Sequence, residues 1–388
     1  MTRPAALEGV LVLDFSTVGP AARCARILAD YGARVVKIGA PPSKSGVQIE
    51  PVYHAYGAGR GYERIRLDLK SEAGVETFFK LVARADVVIE SYRPGVADRL
   101  GIGYADVRRA NPRVVYCSTS GYGQDGPASQ WAGHDLNYLA VGGYLHMSGR
   151  RADGGPALPG ATVADSAAGG MHAALAILAA LLRRERTGEG EHLDVSVAEG
   201  VLSLMSLAID EHLATGAEPG PGHDVLSGRY AFYDVYACGD GGWLAVAAIE
   251  PRFYANLCKA LGLDEWIPRQ RDDAVQDEIR ADFRAAFAAR DRDDWLAELA
   301  AADACVSPVY DIAELARDPQ FAARGAFGEA HHPQHGAFRQ VAPALAGMDR
   351  VQSPVEVGGS ASDAEALLRE VGLPADEIEA LCASGAVA

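Results

Sequence analysis

The chain has 388 residues, 36 Lys+Arg against 52 Asp+Glu, a formal charge of −16 and an isoelectric point near 5.1. With 49% hydrophobic and 23% charged residues, it is neither disordered nor collagen-like, and its length suits two or three globular domains. The acid excess argues against non-specific nucleic-acid binding, which needs a basic footprint, but not against an anionic ligand held by a few local Lys or Arg.

Residues 8–15, EGVLVLDF, are a compact apolar run that reads as a buried parallel strand. Pro20 to Tyr31 follows with helical spacing and stops at Gly32, and Ala33 to Ile38 is a second buried strand. Strand, helix and strand within about 30 residues make a βαβ unit. The pattern recurs, with a helix over Lys70 to Arg84 and strands at Asp86–Glu90 and Val114–Ser118. The first 190 residues therefore predict an α/β layer with a mostly parallel sheet. The turn after the first strand, Asp14-Phe15-Ser16-Thr17-Val18-Gly19-Pro20, contains no GxGxxG, so no dinucleotide site is expected there.

A long Ala- and Gly-rich helix is predicted over 165–185, then a short strand, then a helix over Glu199–Ala214. Residues 191–224 read as a linker, densest in Gly and Pro at 215–228. Strands at 230–237 and 243–248 and helices near 251–261, 274–289 and 292–301 predict a smaller α+β domain over 225–330. The tail, 331–388, ends in a helical stretch from Ala361 to Ala383. No run approaches the 18–20 apolar residues of a membrane span; Met171 to Leu182 is the longest. The six cysteines form no CxxC or Cys/His cluster, so no metal is expected. With no leader-like start, the chain reads as a cytoplasmic protein that meets no membrane.

Three residues carry candidate chemistry. His134 lies in GHDLNY, Asp165 opens the apolar helix in ATVADSAAGG, and Glu250 stands between a strand and a proline-initiated helix in AAIEP. Each also reads as a structural group, the two carboxylates as helix starts. Lys37 and Arg93 follow buried strands, where ligands bind in open sheets. The Gly121-Tyr122-Gly123 loop reads equally as turn chemistry.

The segments LEGVLVLDFSTVGPAARCARILADYGARVVKI, RLDLKSEAG, ESYRPGVADRLGI, STSGYGQDGP, GHDLNYLAVGG, VADSAAGG, AAIEPRFY and DACVSPV together resemble the family III CoA-transferase superfamily (the CaiB/BaiF type), and within it the α-methylacyl-CoA racemase branch. The resemblance implies an interlocked homodimer. Each chain would have a Rossmann-like large domain at 1–190, completed by 331–388, and a small α+β domain. It implies racemisation at the α-carbon of a 2-methylacyl-CoA thioester, with His134 and Asp165 as the two proton carriers and Glu250 orienting the histidine. Amides at the start of the Asp165 helix would take the enolate oxygen. The CoA would be part of the substrate rather than a separate cofactor. Lys37, Arg60, Arg93 and the Gly121–Gly123 loop, Tyr122 included, would hold it. The alternative is an acyl-CoA:carboxylate CoA-transferase with Asp165 as nucleophile; a third reading is a CoA-binding protein without catalysis. The chain departs from the pattern at Gly39, where a glutamate is usual, and at Tyr62 and Glu63, where basic residues are usual.

Overall fold

The computed structural model describes residues 4–16, 19–41, 60–333, 335–348, 354–357 and 362–388. The unmatched segment 41–58 therefore lies almost wholly outside the described residues, as do Thr17 and Val18. The chain divides into two compact units, one of Met1–Tyr144, Pro159–Ser206 and Pro319–Ala388, the other of Leu145–Leu158 and Leu207–Asp318.

The first unit is built on six parallel strands: β1 (Leu11–Asp14), β2 (Arg34–Gly39), β3 (Glu63–Arg66), β4 (Val87–Glu90), β5 (Val115–Ser120) and β6 (His192–Ser196). Their order is β3-β2-β1-β4-β5-β6. The order reverses between β1 and β4, which is where doubly wound sheets place ligands. Helix α1 (Gly19–Asp30) follows β1, and α2 (Glu72–Val82) begins after an N-cap in which Ser71 accepts the Gly74 amide. Helix α3 (Asp135–Val141) is short. Helix α4 spans Ala164–Thr187 and opens with a π-helical segment, Ala164–Met171, before becoming α-helical at His172. Helix α5 (Val197–Leu204) follows β6 directly. One side of the sheet packs α1 and α4 through Ala25, Leu28, Ala173, Ile177 and Val195. The other packs α2 and the C-terminal helices through Phe78, Leu81, Leu367 and Leu368.

The predicted linker is corrected by this topology. Residues 192–196 are the sixth strand, paired with β5 from Tyr116↔His192 to Ser120↔Ser196, and the second unit begins at Leu207 and also takes 145–158. By length and composition α4 passes as a membrane span, contrary to the sequence expectation. Its inner face, Ala173, Ala174, Ile177, Ala180 and Leu181, is buried in the core of the first unit.

The second unit carries a three-stranded antiparallel sheet, β7 (Tyr233–Ala237), β8 (Trp243–Ala247) and β9 (Val306–Pro308), with β8 central. Helices α6 (Pro251–Leu261), α7 (Gln276–Phe287) and α8 (Arg292–Ala301) pack on it. Its core is aromatic: Phe287 meets Tyr236 at 5.1 Å and Trp295 at 5.7 Å between ring centroids.

The tail returns to the first unit. A hairpin, β10 (Phe327–His332) and β11 (Gly336–Val341), takes β12 (Val355–Glu356) in parallel beside β10. Helices α9 (Ala364–Glu370) and α10 (Ala375–Ala383) close the far edge of the large sheet. Arg34 on β2 bonds both Glu63 of β3 (2.7 Å) and Glu370 of α9 (2.6 Å), tying that edge together. Arg66 and Ala388 exchange backbone hydrogen bonds of 2.9 Å.

Candidate active site

His134 and Asp165 are 31 positions apart in sequence, and the structure brings them together. His134 is the N-cap residue of α3 and is exposed; its backbone N–H donates to Asn137 Oδ1 at 3.0 Å. The next residue, Asp135, uses Oδ1 to accept the Asp165 backbone N–H at 2.9 Å. This one bond joins the start of α3 to the start of α4, and with it the two candidate groups. Asp135 lies inside the GHDLNY motif, but a carboxylate following a histidine carries no sequence signal of such a bond.

The carboxylate of Asp165 is half-buried beside α1. A Cβ at Gly19, the first residue of α1, would lie 3.8 Å from its Oδ2. Arg23 Nη1 stands 3.8 Å from the same oxygen. Burial pushes the Asp165 carboxyl above its ordinary value, Arg23 pulls it back, Asp135 pushes it up and the His134 charge lowers it. A carboxyl raised in this way is a stronger base than a free carboxylate.

Three close backbone approaches hold the π-helical opening of α4 in place. A Cβ at Gly169 would lie 2.4 Å from Pro20 Cβ, one at Gly170 2.7 Å from Arg23 Cβ, and one at Gly200 of α5 2.0 Å from the Ala168 carbonyl oxygen. The Ala-Ala-Gly-Gly run and Gly200 thus let α1, α4 and α5 meet at backbone distance around Asp165. π-Helical segments are rare and frequent at functional sites. The expectation that the first amides of α4 are open to an oxyanion is corrected: the Asp165 amide serves Asp135 and the Ser166 amide donates to the Thr162 carbonyl at 3.0 Å.

The loop after β5 forms the wall beside His134. Tyr138 is buried, donates its hydroxyl to the Gly133 carbonyl at 2.6 Å, and lies edge-on to Tyr122 at 5.3 Å. Burial, then Asp165, pushes the Tyr138 phenol up to about 12. A Cβ at Gly121 or Gly133 would sit 2.5 or 2.6 Å from the Tyr138 ring, so both glycines make room for it. Gly123 adopts a positive φ of 89°, and the next amide, Gln124, donates to Asp194 at 3.0 Å.

Glu250 lies in the second unit, exposed, at the N-cap position of α6 with Pro251 in the first turn. Buried Gln270 fixes its approach by donating to the Ala248 and Ile249 carbonyls at 3.2 and 2.9 Å. Sequence reasoning passed over Gln270.

The basic candidates divide. Lys37 is paired with Asp14, which is fully buried, at 2.8 Å, and reaches Ser16 Oγ at 3.0 Å; a buried carboxylate requires such a partner. Arg60, expected to help hold CoA, is engaged inside the first unit. It is buried, grips Asp30 of α1 through Nε and Nη2 (3.1 and 2.8 Å), and donates to the Val341 carbonyl at 2.7 Å, tying α1 to the C-terminal hairpin. Arg93 is exposed and forms no ion pair among the described residues. Near it a cavity of about 130 Å³ opens at the carboxyl ends of the strands, lined by Phe15, Ile38, Gly39, Leu67, Leu69 and Tyr92. The departure at Gly39 therefore falls on a cavity wall. Among the described residues no group of His, Cys, Asp or Glu is placed to hold a metal.

The comparisons with known proteins bear on the family and the fold. The model of CoA-transferase family III matches residues 7–357. The human alpha-methylacyl-CoA racemase is 37% identical over 323 residues, 83% of this chain and 82% of that protein. The acetyl-CoA:oxalate CoA-transferase of Acetobacter aceti is 33% identical over 82% of this chain and 84% of its own. A crystal structure of a CAIB/BAIF family protein from Brucella suis superposes with a TM-score of 0.77 at 27% identity, covering 95% of this chain and all of that one. A doubly wound sheet and a match across most of the chain lead to one conclusion: this chain belongs to CoA-transferase family III.

Proposed function

We propose that the enzyme inverts the α-carbon of a 2-methylacyl-CoA thioester by proton transfer between His134 and Asp165. The observation that carries this reading is their juxtaposition through Asp135, with the Asp165 carboxyl raised by burial. An α-proton beside a thioester is weakly acidic, so its removal needs a base held in contact. One carrier takes the proton, the electron pair moves onto the thioester oxygen as an enolate, and the second carrier returns a proton to the opposite face. For one epimer His134 accepts and Asp165 donates; for the other the roles exchange. The CoA nucleotide lies towards the cavity near Tyr92, with exposed Lys70 on its lining and exposed Arg93 after Tyr92 as cations to meet phosphate. In heavy water, a 2-arylpropionyl-CoA is expected to take up deuterium at Cα and lose optical activity from either epimer. Retention of the α-proton sinks the reading.

A second reading keeps Asp165 as a nucleophile, as a CoA-transferase would use it, and is favoured by the likeness to the Acetobacter enzyme. Trapping an Asp165 acyl adduct with hydroxylamine or borohydride, without deuterium uptake, selects it.

The acting species is proposed to be a homodimer in which Glu250 of one chain orients His134 of the other. The outer face of α4 supports association: Leu175 and Leu182 are 67% and 66% exposed, in line with exposed Met171. Co-expressing His134→Ala and Glu250→Ala chains then recovers part of the activity that each lacks alone. A mixture as inactive as its parents excludes the shared site.

A further inference from the structure

We propose that Arg23 is a positioning residue that holds Asp165 in its ionised form and so keeps the acid side of the reaction window open. The inference rests on Asp165 being one of two proton carriers. Arg23 sits one turn into α1, and its guanidinium bridges two points of the segment entering α4. Nη2 donates to Thr162 Oγ1 at 2.5 Å and Nη1 faces Asp165 Oδ2 at 3.8 Å. Both side chains are largely sheltered, at 14% and 17% exposure, so solvent and salt screen the pair less than a surface ion pair. The approach is built in: Gly170 has no side chain where a Cβ would stand 2.7 Å from Arg23 Cβ.

The other groups around Asp165 leave Arg23 as its main electrostatic counterweight. From α3 come His134, which favours the carboxylate, and Asp135 and Tyr138, the first of which disfavours it. From α5 the approach to α4 is made by Gly200, and the charged residue beside it, Glu199, is exposed. Burial opposes ionisation. Without the guanidinium, burial and Asp135 act on Asp165 with only His134 against them. A carrier that stays protonated cannot take the α-proton, so exchange from the epimer that Asp165 deprotonates depends on Arg23 at low pH.

The test isolates Asp165 in a His134→Ala parent, where it is the sole carrier, and follows deuterium uptake into one epimer of a 2-arylpropionyl-CoA as a function of pH. Adding Arg23→Gln is expected to raise the midpoint by about one unit, a loss of about tenfold below the midpoint, with the high-pH plateau kept. Arg23→Lys restores the midpoint in part, and Thr162→Val, which frees the guanidinium without removing its charge, moves it upward by less. A merely structural arginine would lower the plateau at every pH. An unmoved midpoint in both Arg23→Gln and Thr162→Val overturns the proposal. Absence of exchange in the His134→Ala parent itself removes the two-carrier reading, and the proposal with it.

Discussion

Replacing His134 with Ala is expected to abolish racemisation while α-proton exchange persists from one epimer only. In the proposed mechanism the two carriers approach the α-carbon from opposite faces, so removing one leaves the other able to take a proton and return it to the face it came from. The loss in racemisation should be about 10²–10⁴-fold, the usual contribution of a positioned acid or base. Asp165→Asn should show the mirror result, exchange confined to the other epimer. Asparagine keeps the size of the side chain and leaves the backbone bond to Asp135 in place, so the His134 segment should stay where it is. The measurement is deuterium content and configuration of each recovered epimer, with circular dichroism to confirm folding. A His134→Ala enzyme that still exchanges both epimers is incompatible with the mechanism.

Gly200→Ala is expected to destabilise the first unit strongly. Helix propensity alone favours the change, since glycine inside a helix costs about 0.5–1 kcal/mol relative to alanine. The packing opposes it: the new Cβ would lie 2.0 Å from the Ala168 carbonyl oxygen and 2.7 Å from its carbon. Backbone cannot turn aside as a side chain can, so α5 or α4 must move. The net loss should be about 1–3 kcal/mol, the range of overpacked cores, read as a fall in Tm of several degrees. Ala168 is three residues from Asp165, so the displacement should also reduce kcat. Gly160→Ala is the control, because a Cβ there meets nothing within 4 Å. Equal Tm values for the two variants would refute the packing argument.

Strong periodicity made much of the large sheet legible. β1, β2 and β4 are largely apolar runs because helices cover both faces, and α1, α2 and α4 show their buried stripes. β3 was missed because its sequence, Glu-Arg-Ile-Arg, is that of an edge strand, charged at three of four positions, whose Glu63 pairs with Arg34. The β10–β11 hairpin was missed for the same reason: its outward positions include Glu329, His331 and Arg339. The predicted helix over 199–214 is two helices, parted at Met205, where apolar spacing gives no sign of a break. At the site, residue type identified His134 and Asp165 as candidates. What joins them, Asp135 accepting an amide 30 residues away, depends on tertiary approach. So does the fate of Arg60, a cation by composition and a buried tie by position.

The π-helical opening of α4 carries one more consequence. A π turn accommodates more residues than an α turn over the same rise, so Ala164–Met171 behaves as a helix that has absorbed an inserted residue. The remainder of α4, from His172 onward, is locked in phase by its buried face on the sheet. The insertion therefore sets the angular phase of Asp165 independently of the core beneath it. Deleting a single residue from the Ala-Ala-Gly-Gly run would let the helix relax to ordinary winding and turn Asp165 by about 100° around the axis, away from Arg23 and Asp135. The geometry of this site is thus held by a phase offset of one residue, which no substitution can imitate and one deletion can erase.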